Sequence, residues 1–124
     1  MSLSGYKELN VYQKSYKAVL AVYEMSKRFP KEEVYSLTNQ IRRSAASIPL
    51  NIAEGYAKRS SQQEFKRYLE ISLGSSNEVS VLLDLAKDLG YIEENQYRKA
   101  SSVYAEISRM INGMIKSIKA RSNI

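Results

Sequence analysis

ENQYRKASSVYAEISRMINGMIKSIKAR, residues 94–121, is the stretch that decides the fold. Along it Tyr97, Ala100, Tyr104, Ile107, Ile111, Met114 and Ile118 alternate spacings of three and four without a miss. That is a heptad seam, the pattern of a helix packed in a left-handed bundle. Gly113, beside the seam, costs the helix about 1 kcal/mol against Ala and is read as a close approach to another helix.

Three more helices are legible upstream. Ser61 followed by Glu64 matches a capping box, and the helix it opens runs to Leu89, with Gly90 placed to end it in a left-handed conformation. This third helix has two apolar stripes. One is Phe65, Leu69, Ser72, Ser76, Val79, Leu83 and Ala86; the other is Ile71, Ser75, Leu82, Leu85 and Leu89. A helix apolar on two sides needs two neighbours. The second helix starts near Lys31 and uses Val34, Leu37, Ile41, Ala45, Ile48 and Ile52 as far as Tyr56 or Arg59. Pro49 lies inside it and predicts a kink rather than a break near Ser47, because the periodicity carries through. The first helix, Tyr6 to Arg28, turns Leu9, Tyr12, Tyr16, Val19 and Tyr23 inward, and Pro30 ends it. Connections of about two to five residues make neighbours antiparallel. The expectation is an all-α, antiparallel up-down-up-down four-helix bundle, with residues 1–124 as one domain.

Composition bounds the chemistry. The chain has 124 residues, 44% apolar and 26% charged, which suits one globular domain with a real core. Cys and His are both absent, so zinc, copper, haem and iron–sulfur sites lack their usual ligands. No metal or other cofactor is expected. No apolar run has the length of a signal peptide or a membrane span, so a cytoplasmic protein without a membrane role is expected. The net charge of +6 raises the prospect of a polyanionic partner.

Two constellations stand out. Arg43, Ser47, Asn51 and Glu54 share one face of the second helix, and Ser75, Ser76 and Glu78 lie at matching depth on the third. These read as an active site or as a structural polar layer. The layer is preferred, because no nucleophile–base pair accompanies them. Glu54, Glu64, Glu70 and Glu78 lack the His that di-iron bundles require. The second constellation is basic: Lys58, Arg59, Lys66 and Arg67 around one turn, and Arg98, Lys99, Arg109, Lys116, Lys119 and Arg121 on the fourth helix. They form either a phosphate-binding surface or a solvated face. Helices one and four are basic and helix three is acidic. Of the ten tyrosines, Tyr12, Tyr16, Tyr23, Tyr97 and Tyr104 are expected inside, and only Tyr56 and Tyr68 stand where a base could stack.

The segments LTNQIRRSAASIPLNIAEG (37–55), EFKRYLEISLGSSNE (64–78) and LGYI (89–92), with residues 11–30, cover nearly the whole chain. Through them the sequence resembles the bacterial four helix bundle protein family encoded in intervening sequences of 23S ribosomal RNA genes. That family is similar to the accessory protein of diversity-generating retroelements, a basic pentameric barrel that engages nucleic acid and a reverse transcriptase. The resemblance implies a four-helix protomer, a ring-shaped homo-oligomer with five subunits, and RNA or DNA binding. It supplies no enzyme activity.

The leading expectation is a non-enzymatic oligomeric scaffold that binds nucleic acid, RNA first, through phosphates. The alternative is a protein–protein adaptor with no nucleic-acid role. Assembly has its own argument: a monomer leaves an apolar strip on helix three or four uncovered, and a closed ring would bury it.

Overall fold

The heptad seam folds as one helix, and three others pack with it. The computed structural model describes residues 5–122, so the outermost parts of the expected 1–124 domain, residues 1–4 and 123–124, lie outside the described residues. Four helices carry the chain: α1 (Asn10–Ser26), α2 (Leu37–Ala57), α3 (Gln62–Asp88) and α4 (Glu94–Ser122). Successive helices are packed neighbours, and α1 closes the circle against α4 with the thinnest contact. This is the antiparallel up-down-up-down bundle, with no strand among the described residues.

Helices α2 and α4 and the first stripe of α3 bury the expected residues, whereas the second stripe of α3 is buried only at Ser75 and Leu82, with Ile71, Leu85 and Leu89 exposed. Ile41, Ala45, Ile48 and Ile52 of α2 meet Leu69, Val79, Leu83 and Ala86 of α3, with Tyr104, Ile107, Ile111 and Ile118 of α4. Ile115 joins this core as well. The α2 helix runs through Pro49 unbroken. The Ser61 hydroxyl accepts from the Glu64 amide at 3.2 Å and caps α3. At its other end Gly90 has φ +81°. There the Tyr91 amide donates to the Ala86 carbonyl at 2.8 Å and the Gly90 amide to Lys87 at 2.9 Å, the paired closure of a Schellman end.

Helix α1 departs from expectation by one residue. Its buried face is Val11, Ser15, Ala18, Val22 and Ser26. Tyr16 and Tyr23 are 50% and 42% exposed, while Leu9, Tyr12 and Val19 pack against the edge of the core, half-buried. A shift of one residue is a rotation of about 100°. The reason is size: small side chains let α1 approach closely, and the buried hydroxyls are satisfied within the helix. Ser15 donates to the Tyr12 carbonyl at 3.1 Å and Ser26 to the Tyr23 carbonyl at 3.3 Å. Tyr97 is half-buried, which leaves Tyr104 as the fully buried ring of the five expected inside.

The α1–α2 connection is also longer than expected. Lys31–Glu33 forms a 3₁₀ turn instead of the first turn of α2, and Val34 is exposed. The Glu33 carboxylate accepts from the Ser36 hydroxyl at 2.6 Å and from the Leu37 amide at 3.4 Å, capping α2 from outside. The close approach read at Gly113 is found at Gly55 instead. A Cβ on Gly55 would lie 2.7 Å from Tyr68 Cβ, whereas one on Gly113 meets nothing within 4 Å.

Candidate nucleic-acid interface

Antiparallel packing decides which basic residues meet. The α2–α3 turn, the first turns of α3 and the last turns of α4 all fall at one end of the bundle. Arg121 ties them together, donating from Nη2 to the Gln62 side chain at 2.8 Å. Lys58, Arg59, Lys66, Arg67, Lys116, Lys119 and Arg121 therefore share this end. The other three expected cations do not. Arg109 lies halfway along α4, beside Ser108, whose hydroxyl meets that of Ser76 at 2.8 Å. Arg98 and Lys99 stand on the first turns of α4, at the far end.

The cations at the basic end differ in how far they are neutralised. Arg67 lies 3.3 Å from Glu64 and Lys58 lies 3.8 Å from Glu54. The hydrogen bond from Arg67 holds the Glu64 carboxyl below the usual range, and Glu64 in turn raises Arg67. Arg59 and Arg121 have neutral partners instead: the Tyr56 carbonyl at 2.9 Å for Arg59, and Gln62 with the Ser117 hydroxyl at 3.2 Å for Arg121. Lys66, Lys116 and Lys119 have no ion-pair partner among the described residues. Five cations at one end thus keep their charge for something else.

Aromatic rings orient this cluster. The Arg59 guanidinium lies 4.0 Å from the centre of the Tyr56 ring and that of Arg67 lies 4.5 Å from Tyr68; Lys58 sits 5.4 Å from Tyr68. Such stacking fixes a guanidinium plane; Arg59 spends one N–H on the Tyr56 carbonyl and keeps the others, whereas the Arg67 edge is taken by Glu64. Tyr56 and Tyr68 were the expected base-stacking rings, but here they serve as platforms for cations. At the opposite end Arg98 is bound to Glu94 at 2.8 Å, with Lys87 3.4 Å from the same carboxylate. Hydrogen bonding from Arg98 keeps Glu94 below the usual carboxylate range.

The α2–α3 polar face is built differently from the expected layer. Asn51 donates to the Ser47 carbonyl at 2.8 Å and to its hydroxyl at 2.9 Å, and Ser75 donates to the same hydroxyl at 2.9 Å. Ser72 donates to the Ile48 carbonyl at 3.0 Å. Arg43 stands outside this layer: it is exposed and has no partner among the described residues. Glu54 is exposed and faces Lys58 on its own helix. Glu78 is exposed and accepts from Gln40 at 3.1 Å rather than from Arg43. Keeping a guanidinium in water avoids a desolvation cost that these hydroxyls could not offset. No group of three carboxylates among the described residues is close enough to hold a metal ion.

The comparisons agree with this architecture. The family model described as 23S rRNA-intervening sequence protein matches residues 7–113. The chain belongs to that family. A crystal structure of a protein of unknown function from the S23 ribosomal protein family of Bacteroides thetaiotaomicron is similar, with a TM-score of 0.78 and 28% identity over 86% of this chain and 98% of that one. A comparison with curated proteins finds no match. The family match spans all of α1 to α3 and most of α4, so it takes in both the layer around Ser47 and the basic turn at Lys58.

Proposed function

We propose that this member of the 23S rRNA-intervening sequence protein family is a non-enzymatic homo-oligomeric scaffold of the cytoplasm that holds RNA by its phosphates. The observation that carries the reading is the set Arg59, Lys66, Lys116, Lys119 and Arg121, gathered at one end without carboxylate partners. Phosphate contacts position a nucleic acid and carry no sequence code. Binding is therefore weakly sequence-specific and falls steeply with salt. Gel shifts with structured RNA and duplex DNA across a salt series test it, and no binding at about 50 mM salt contradicts it.

Two different apolar surfaces support assembly. Tyr12, Tyr16, Leu20, Tyr23, Pro49 and Leu50 line an α1–α2 groove of about 460 Å³. On α3 and just past its end, Val81, Leu85 and Leu89 are exposed. Contacts between unlike surfaces close into a ring when the rotation from one subunit to the next divides a full turn, and the resemblance to the retroelement accessory protein suggests five subunits. Light scattering coupled to size exclusion tests this: a pentamer mass supports the ring, and a monomer at micromolar concentration contradicts it. The same apolar surfaces also suit a protein–protein adaptor. A stoichiometric protein partner retained after nuclease treatment, with no RNA bound by the purified protein, favours that second reading.

A further inference from the structure

The polar cleft between α2 and α3 holds the residues that the structural layer did not absorb. It encloses about 400 Å³ and is lined by Tyr35, Asn39, Gln40, Arg43, Ser47 and Glu78, among others. Three of its side chains are exposed and have no hydrogen-bond or ion-pair partner among the described residues, so they are open to a ligand. Arg43 is exposed and has no partner among the described residues, although Glu78, which accepts from Gln40 at 3.1 Å, lines the same cleft. Tyr35 is 92% exposed, an aromatic ring in open water. Asn39 presents an exposed amide with no partner among the described residues. The Ser47 hydroxyl below them is fixed by Asn51 and Ser75, so the floor is rigid.

We propose that this cleft is a second nucleic-acid site, which takes one unstacked nucleotide of a single strand. It rests on the RNA-binding reading and adds to it a site that the basic end does not provide. Arg43 offers a planar fork of N–H donors that fits a phosphate. Tyr35 offers a ring face for the base, the usual way single strands are held. Glu78 repels phosphate but accepts from hydroxyls. The phosphate is thus directed to the Arg43 side and the sugar to the Glu78 side. A duplex keeps its bases stacked and cannot present one to Tyr35. The cleft lies on the α2–α3 face, roughly 24 Å along α2 from Arg59 at 1.5 Å per residue. One RNA with a structured part and a loose strand can reach both sites.

Fluorescence anisotropy with a short single-stranded RNA, the same DNA sequence and an RNA duplex of equal length tests the proposal. Arg43→Ala and Tyr35→Ala should each weaken single-strand binding about tenfold and leave duplex binding unchanged. Arg43→Lys should recover only part of the loss. Larger losses for RNA than for DNA assign the sugar contact to Glu78, and equal losses assign the site to ring and phosphate alone. Both residues are exposed, so melting temperature and oligomer mass should match the parent. Single-strand affinity unchanged in both alanine variants overturns the cleft while leaving duplex binding at the basic end standing. Equal losses for strand and duplex overturn it too, as does any change in oligomer mass. If the parent protein binds none of the three probes, the RNA-binding reading itself falls.

Discussion

Arg42 donates from Nε to the Ser26 hydroxyl at 2.8 Å, joining α2 to the last turn of α1. Its Nη2 reaches the Tyr23 carbonyl at 3.3 Å, and its guanidinium lies 4.6 Å from the Tyr23 ring centre. A helix end leaves carbonyls unpaired, and Arg42 supplies a donor to one of them. Arg42→Ala should cost about 1–3 kcal/mol, because a half-buried charge-assisted bond between α1 and α2 is lost, leaving the Ser26 hydroxyl bonded only to the Tyr23 carbonyl. Arg43→Ala should lie within about 0.5 kcal/mol of the parent, as exposed substitutions do. Urea unfolding of the two variants checks both values; equal losses would contradict the assignment.

Tyr104 is the core residue that breaks a rule. Its ring is buried and its hydroxyl has no hydrogen-bond partner among the described residues. Burial pushes the phenol pKa far above the usual tyrosine range. Tyr104→Phe removes a desolvated group and no bond, and should stabilise the fold by about 1 kcal/mol. A thermal melt decides the sign, and a clear loss of stability would show that the hydroxyl is bonded.

Gly55 and Gly113 should respond oppositely to alanine. At Gly55 the new methyl would lie 2.7 Å from Tyr68 Cβ and 3.3 Å from the Phe65 carbonyl oxygen, so α2 and α3 must part. About 1–3 kcal/mol of destabilisation is expected. At Gly113 the space is open, and better helix propensity should add about 0.8–1 kcal/mol. Chemical denaturation measures both. A destabilising Gly113→Ala would show that this face is closed by another subunit.

The two loops at the end opposite the basic cluster are joined by Tyr91, whose hydroxyl donates to Glu33 at 2.7 Å. Hydrogen bonds from Ser36 and then Tyr91 lower the Glu33 pKa from its ordinary 4.5. The same bond from Glu33 raises Tyr91 from 10.0. For the lowered carboxyl, the contribution is complete above 4.5 and is lost as pH falls through the folded value. For the raised phenol, it is complete below 10.0 and is lost as pH rises through the folded value. Stability from this bond is therefore flat between these limits. Tyr91→Phe should flatten both flanks of a stability–pH profile relative to the parent, and unchanged flanks would contradict the linkage.

Helices α2 and α4 were legible because large aliphatic residues mark their core faces, whereas α3 buries Ser72, Ser75 and Ser76 and leaves Ile71, Leu85 and Leu89 exposed, so only its first stripe was legible. Helix α1 was misread because its true core face, Val11, Ser15, Ala18 and Val22, is made of small residues. The adjacent tyrosines carry more apolar surface and dominate a periodicity reading, yet Tyr16 and Tyr23 are exposed and Tyr12 only edges the core. The same one-residue ambiguity exchanged Arg42 with Arg43. Both neighbour Ile41 in sequence, and only the crossing of α1 over α2 shows which one meets Ser26. The basic turn at Lys58 was visible as a charge cluster. Its union with the end of α4 was not, because it depends on which ends of antiparallel helices coincide. Tyr35 carried no signal at all, since nothing in a turn sequence says that a ring will lie in water.

The salt dependence of RNA binding tests the central claim most directly. Each phosphate contact adds about 0.7–0.9 to the slope of log affinity against log salt. Replacing Lys116, Lys119 and Arg121 together by alanine should lower that slope by about two to three for each engaged protomer. The same treatment of Lys31, Arg98 and Lys99 at the opposite end should leave it unchanged. A slope that falls only for the first set places RNA on the basic end. Equal slopes for both variants and the parent, or no RNA binding at low salt, would contradict the account.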